Sequence, residues 1–167
     1  MSRLRKLSQY KKHYDNGKLI GFTNWAYVDK EPELYIPGVL LAQELGVPFI
    51  YVRSTPKAHG LGNQIEGHFE EGQSVIVVED LISTGGSSIE AVKALREANL
   101  NVKGLVAIFT YGFDLATENF KKAKCPFDTL TNYDLLMEQA TKKKFIVESN
   151  VESLMAWKKN PADWTGN

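Results

Sequence analysis

Cysteine is nearly absent from this chain: Cys125 is the sole one in 167 residues. No intramolecular disulfide can form, and a thiolate metal cluster has no ligand set. Cys125 stands before Pro126 at the edge of an apolar run and reads as a buried, inert thiol, since free cysteine is among the most buried residue types. Charge of one sign is also lacking. Lys plus Arg number 20 and Asp plus Glu number 20, so nothing in the composition favours nucleic acid or a membrane surface as partner. No apolar stretch approaches the roughly 20 residues needed to span a bilayer. Residues 1–12 are basic, but no apolar region follows them, so no secretory signal is expected and the expected compartment is the cytoplasm. Two phosphate-loop signatures are missing as well. There is no G-x-G-x-x-G of the dinucleotide type and no Gly-Lys-Ser/Thr of the Walker A type. No repeat, low-complexity linker or domain boundary is visible.

What remains is ordinary globular material, 43% hydrophobic and 24% charged, enough for one core and one domain over residues 1–167. From about Gly38 the pattern alternates between strand and helix. Residues 37–45 read as a helix with Pro37 in its first turn, stopped by Gly46 with Pro48 beyond. Residues 47–52 are apolar and β-branched or aromatic, the signature of a strand. Residues 74–79 contain Val75, Ile76, Val77 and Val78 in an unbroken row, which fits a strand buried on both faces of a parallel sheet. Residues 87–98 carry Ile89, Val92 and Leu95 on one helical stripe. Ser87 and Glu90 have the spacing of a capping box, and Asn99 can close the far end in a left-handed conformation. Strands follow at 102–110 and 127–130, and helices around 118–123, at 133–140 and at 151–159. The alternation predicts an α/β fold with a mainly parallel sheet flanked by helices. The first 36 residues form a divergent segment. Leu19, Ile20, Phe22, Trp25 and Tyr27 are scattered there, allowing one or two strands and no clear helix.

Two stretches carry chemistry. The first is 75–88, V-I-V-V-E-D-L-I-S-T-G-G-S-S. A buried strand ends in Glu79 and Asp80, a turn of Ser, Thr and Gly follows, and a helix begins. Ligands of parallel sheets bind at the carboxyl ends of strands. A helix N-terminus adds unpaired N–H groups and partial positive charge, which suits a phosphate. Gly85 and Gly86 let the backbone come close to the anion, and Ser83, Thr84, Ser87 and Ser88 offer hydroxyls. Carboxylates beside an anion site need a reason. The hydroxyls of a sugar bearing that phosphate would supply one, as would a metal ion. The bland reading is a plain strand–loop–helix turn.

The second stretch is 53–67, R-S-T-P-K-A-H-G-L-G-N-Q-I-E-G. A structureless loop of this length inside a domain is usually functional or disordered. It gathers Arg53, Lys57 and His59 in a chain of zero net charge, among glycines that allow movement. Such a loop can close over an anion and bring positive charge onto a leaving group. Taken singly, Lys57 reads equally as a solvated lysine and His59 as an idle loop histidine. His13 and His68 have no comparable context.

The motif at 75–88 resembles the PRPP motif of type I phosphoribosyltransferases, and its wording from Glu79 to Ser88 is similar to one branch of orotate phosphoribosyltransferases. The loop at 53–67, the stretch V-A-I-F-T-Y-G-F-D at 106–114, residues 127–132 and the region 157–164 extend the likeness over about 38–164. The resemblance implies transfer of a phosphoribosyl group from PRPP to orotate, giving orotidine 5-phosphate and pyrophosphate, with Mg2+ carried by PRPP and no dedicated metal cage. It implies that Glu79 and Asp80 face the ribose hydroxyls. The PRPP-binding stretch then runs through Leu81, Ile82, Ser83, Thr84, Gly85, Gly86 and Ser87, with Ser83 near orotate. It further implies that Arg53 contacts pyrophosphate, that Lys57 and His59 act catalytically from the closing loop, and that the chain is a homodimer. Ala58 departs from the family, where an acidic residue often precedes the histidine. The N-terminal hood expected over the base is reduced or absent, and E-P-E-L-Y-I-P-G at 31–38 replaces a small-residue pyrophosphate loop. A PRPP-binding regulator without catalysis, or an inert truncated core, are the alternatives.

Overall fold

A computed structural model describes residues 20–23, 36–53 and 64–164. Its elements are β1 (Ile20–Thr23), α1 (Ile36–Leu45), β2 (Phe49–Val52), β3 (Ile65–Glu66), β4 (Ser74–Ile82) and α2 (Gly86–Glu97). They continue with β5 (Asn101–Thr110), α3 (Asp114–Lys122), β6 (Phe127–Asn132), α4 (Tyr133–Lys142) and α5 (Glu148–Lys159). The α/β architecture expected from the alternation is present. The questions of the hood and of Trp25, Tyr27, Glu31 and Glu33 fall outside the described residues.

The sheet order is β3-β2-β1-β4-β5-β6, parallel throughout except for the antiparallel β2–β3 pair at one edge. The chain leaves β1 toward β2 on one side and leaves β4 toward β5 and β6 on the other. Right-handed crossovers therefore send α1 to one face of the sheet and α2 and α3 to the opposite face. The reversal lies between β1 and β4. The position outside the carboxyl ends of the strands at such a reversal is the usual ligand position in these sheets.

The main core lies under α2 and α3. Ile50, Val52, Val75, Val77, Leu105 and Ala107 from the sheet meet Ile89, Val92, Leu95 and Phe120 from these helices, all at most 9% exposed. Burying each large apolar side chain stabilises the fold by about 1.5–3 kcal/mol. Ile76 and Val78 are buried too, at 6% each, so β4 is covered on both faces as its unbroken apolar row predicts. Cys125 joins the core at 4% exposure, and burial pushes its thiol pKa up.

Helix ends follow local chemistry. Gly46 adopts φ +65, and Val47 N–H donates to the Ala42 carbonyl at 3.0 Å while Gly46 N–H donates to Gln43 at 3.2 Å, a Schellman closure of α1. Asn99, at φ 59, closes α2 in the same manner, with Leu100 N–H on Leu95 O and Asn99 N–H on Arg96 O.

Three details differ from the sequence expectation. The capping box is not formed. Helix α2 begins at Gly86 with Gly85 as its cap, so Ser87 lies inside the helix, and the Glu90 carboxylate accepts instead from Lys93 Nζ at 2.6 Å. Strand β4 runs three residues past Glu79 because β5 continues to pair with it, through Leu81↔Phe109 and Ile82↔Thr110. The stretch after Arg53 is not wholly without secondary structure, since Ile65–Glu66 returns as β3 against β2.

Candidate functional site

The phosphate-loop candidate sits at the switch point. On its β1 side, pairing runs only to Thr23↔Val78, so the following residues of β4 extend beyond the described end of β1. Glu79 and Asp80 occupy this extension. Successive side chains of a strand point to opposite faces, which separates the two carboxylates. Glu79 is buried, at 4% exposure, and Asp80 is half-buried. Asp80 Oδ1 accepts from the backbone N–H of Leu81 at 2.6 Å, which fixes the carboxylate against the chain.

The turn from Ser83 to Gly86 is held from below. Thr110, buried in β5, donates its hydroxyl to the Ile82 carbonyl at 3.2 Å and accepts from Gly112 N–H at 3.0 Å. Tyr111 N–H also donates to Ile82 O, at 3.2 Å. From α3, Asn119 Nδ2 donates to the Thr84 carbonyl at 3.0 Å. Gly85 is required twice. Its φ is +79, a region that L side chains avoid, and a Cβ there would come within 2.6 Å of Phe120 Cε2. No side chain caps α2. The first-turn N–H groups of Gly86, Ser87 and Ser88 have no helical acceptor by geometry, while Ile89 N–H makes the first helical bond, to Gly85 O at 3.0 Å. Gly86 and Ser87 are exposed, Ser83 is half-buried, and Ser88 is buried at 2%. The loop thus presents backbone donors and a helix dipole to one point outside the sheet, which is what a phosphate monoester requires.

Arg53 directly follows β2 and stands at the same sheet edge. One strand, β1, intervenes between β2 and β4. At a strand spacing of about 4.8 Å the two strand ends lie roughly 10 Å apart. Arg53 is gripped by its neighbours: its N–H donates to Gln64 O at 2.8 Å, and Gln64 Nε2 donates to Arg53 O at 2.9 Å. Its guanidinium pairs with Glu66 at 2.8 Å, both side chains being about two-fifths exposed. Residues 54–63, with Lys57, Ala58 and His59, lie outside the described residues. The two ends of that segment meet in the β2–β3 stem, with Val52↔Ile65 as register partners. So the structure brings Glu79 through Ser87 together and places Arg53 on the same edge.

Next to the loop lies a cleft of about 640 Å³, within the usual size of small-molecule sites. Ser83 and Thr84 form one side, and Gly112, Phe113 and Asp114 of the β5–α3 turn another. Met155, Lys158 and Lys159 of α5, with the residues after it, complete the lining. Sequence reasoning missed this wall. Residues 157–164 stood out only by resemblance, and Lys158 and Lys159 fell within the expected helix at 151–159 with no role of their own. Long-range packing is what places them. Trp157 meets the rings of Tyr111, Phe113 and Tyr133 at centroid distances of 5.3, 5.9 and 5.3 Å. Tyr133 also donates its hydroxyl to Leu154 O at 3.2 Å. Among the described residues no cluster of three or more His, Cys, Asp or Glu is placed to hold a metal, and no helix is long and apolar enough to cross a membrane.

Comparison with known proteins bears on this geometry. Residues 35–134 match the phosphoribosyl transferase domain family. An orotate phosphoribosyltransferase of Bacillus subtilis is 46% identical over 156 residues, which cover 92% of this chain and 69% of that protein. Another, from Phocaeicola vulgatus, is 54% identical over 127 residues, 76% of this chain and 60% of its own length. The chain therefore spans about 60% of the length of the first such relatives. Among solved structures, the UMP synthase of Leishmania donovani superposes on 93% of this chain, using 32% of its own, with a TM-score of 0.66 at 25% identity. The orotate phosphoribosyltransferase of Aeropyrum pernix covers 77% of this chain and 66% of its own, with a TM-score of 0.58 at 20% identity, a likeness of fold.

Proposed function

The chain belongs to the phosphoribosyltransferase family, and on that premise we propose that it transfers the phosphoribosyl group of PRPP to orotate, forming orotidine 5-phosphate and releasing pyrophosphate. The observation that carries this reading is the strand–carboxylate–loop–helix arrangement at the sheet's switch point, with its cap glycine seated on Phe120. Names borne by relatives at 46–54% identity support orotate as the acceptor, and so the step in pyrimidine biosynthesis.

Each residue then has a task. The backbone of Ser83, Thr84, Gly85, Gly86 and Ser87 holds the 5-phosphate, and the preceding Leu81 and Ile82 set the loop on the sheet edge. Glu79 and Asp80 accept hydrogen bonds from ribose hydroxyls. Such charge-assisted bonds are short and strong, and they orient the anomeric carbon. Arg53 serves the diphosphate, and Lys57 and His59 bring further charge to it as it departs. Ser83 contacts the base.

Asp80, a half-exposed carboxylate at the end of the sheet, suits an Mg2+ that arrives on PRPP and keeps water and phosphate oxygens as its other ligands. When bound, the ion would neutralise charge on the leaving diphosphate. A homodimer, in which segment 54–63 serves a neighbouring site, one domain over residues 1–167, and a cytoplasmic location complete the proposal.

The test is turnover of orotate with PRPP and magnesium, following pyrophosphate release. Turnover that is lost in Asp80→Ala, together with weakened PRPP binding, supports the reading. A folded chain that binds PRPP without turnover would instead be a PRPP-responsive regulator. An Asp80→Ala variant with unchanged PRPP affinity would remove the ribose assignment.

A further inference from the structure

We propose that Lys158 is the cation that receives the carboxylate of the acceptor base and so sets the specificity for orotate. This rests on the reaction proposed above and deepens it.

An acceptor that carries a carboxylate on its ring is read by a cation at the base end of the site. Among the described residues, the cleft beside the phosphate loop offers one. Ser83 and Thr84 lie on its wall, so the cleft begins where the ribose phosphate would end. Its charged linings are Lys158, Lys159 and Asp114. Asp114 disfavours an anion at its own end, which leaves the two lysines as the cationic pole that takes one. Of these, Lys159 is exposed, whereas the Lys158 side chain is only 18% exposed. A cation drawn out of water is less screened and reads a carboxylate more strongly.

Lys158 is also held in place. Its ammonium donates to both oxygens of Asp134, at 2.6 and 2.7 Å. Asp134 does not line the cleft, so it fixes the ammonium from behind. Three donors sit on an ammonium, and two of them are used by this carboxylate. The next side chain down, Trp157, is locked among Tyr111, Phe113 and Tyr133, which fixes α5 and with it the position of Lys158. On the facing turn Gly112 adopts φ +71, and a Cβ there would lie 3.7 Å from both Cε and Nζ of Lys158. The Gly112 turn therefore passes directly beside the ammonium, in a cleft whose wall also includes Ser83. Phe113, Leu115 and Met155 add apolar surface for the faces of a flat ring.

The experiment uses the full chain and two variants, K158Q and D134N, with steady-state kinetics in orotate and in PRPP and direct titration with orotidine 5-phosphate. K158Q is expected to raise the orotate KM and the product Kd by about 10- to 100-fold, the range spanned by a hydrogen bond to a charged group, with the PRPP KM nearly unchanged. It should also erase the preference for orotate over uracil, the same ring without the carboxylate. D134N keeps the cation and removes its competing anion, so it should hold or tighten orotate affinity. Equal losses in both variants would mean that the pair only anchors α5, and would overturn the proposal. So would K158Q with wild-type orotate affinity. A wild-type chain that neither turns over orotate nor binds orotidine 5-phosphate overturns the reaction reading, and this assignment with it.

Discussion

Replacing Gly85 by alanine tests the loop at its most constrained point. The added methyl would stand 2.6 Å from Phe120 Cε2 and 3.2 Å from Cδ2. Phe120 cannot swing away easily, because it is 1% exposed and packs on Phe127 with ring centroids 4.4 Å apart. The left-handed backbone of Gly85 adds about 1–2 kcal/mol of steric cost for any L side chain. Overpacking a filled core adds about 1–3 kcal/mol. Together Gly85→Ala should lose roughly 2–5 kcal/mol, a large part of the 5–15 kcal/mol typical of a domain. At about 2–4 °C per kcal/mol for a chain of this size, Tm should fall by roughly 4–20 °C. Urea unfolding and thermal melts measure this. A double variant with Phe120→Leu separates the two causes. Room at position 120 should relieve the overpacking and leave the backbone cost, giving a coupling of about 1 kcal/mol or more. A Gly85→Ala variant within about 0.5 kcal/mol of wild type, the ordinary surface range, would refute the reasoning. Strict additivity with Phe120→Leu would refute the contact with Phe120.

Asp80→Ala should weaken PRPP binding with little change in fold stability, since Asp80 is only half-buried; calorimetric titration with PRPP and a parallel melt check both halves. Glu66→Gln breaks the pair with Arg53, whose partners are 38% and 41% exposed, so it should cost at most about 1 kcal/mol in urea unfolding. Alkaline pH should act on Cys125. Burial raises its pKa, an effect that Arg96 partly offsets, so above the usual thiol range the unfolded chain loses this proton before the folded one does. The folded state then binds more protons, and stability falls as pH rises through that window. A Cys125→Ser control should lack this thiol-dependent part of the alkaline loss, read from denaturation midpoints across pH.

How much was legible in the sequence can be judged element by element. Buried strands in parallel sheets need apolar residues on both faces, so Val75 to Val78 announced β4 without ambiguity. Gly46 and Asn99 announced helix ends because few residues tolerate the left-handed region. The Glu79–Asp80 pair and the glycine turn predicted a sugar phosphate site, and the structure gathers them at the carboxyl end of β4 and the start of α2. The capping box misled, because Gly85 already provides a left-handed entry and Ser87 then falls within the helix.

Local backbone chemistry, written in neighbouring residues, was therefore enough to determine the α/β alternation, the helix ends and the strand–turn–helix passage from β4 to α2. Tertiary packing alone decided the rest. The sheet order placed the loop at the switch point between β1 and β4. Phe120, thirty-five positions along the chain, made Gly85 irreplaceable. Helix α5, folded back through Trp157, brought Lys158 beside Gly112 and the loop. Contacts between residues far apart in sequence leave no periodic or spacing signal, because their geometry exists only once the core has closed.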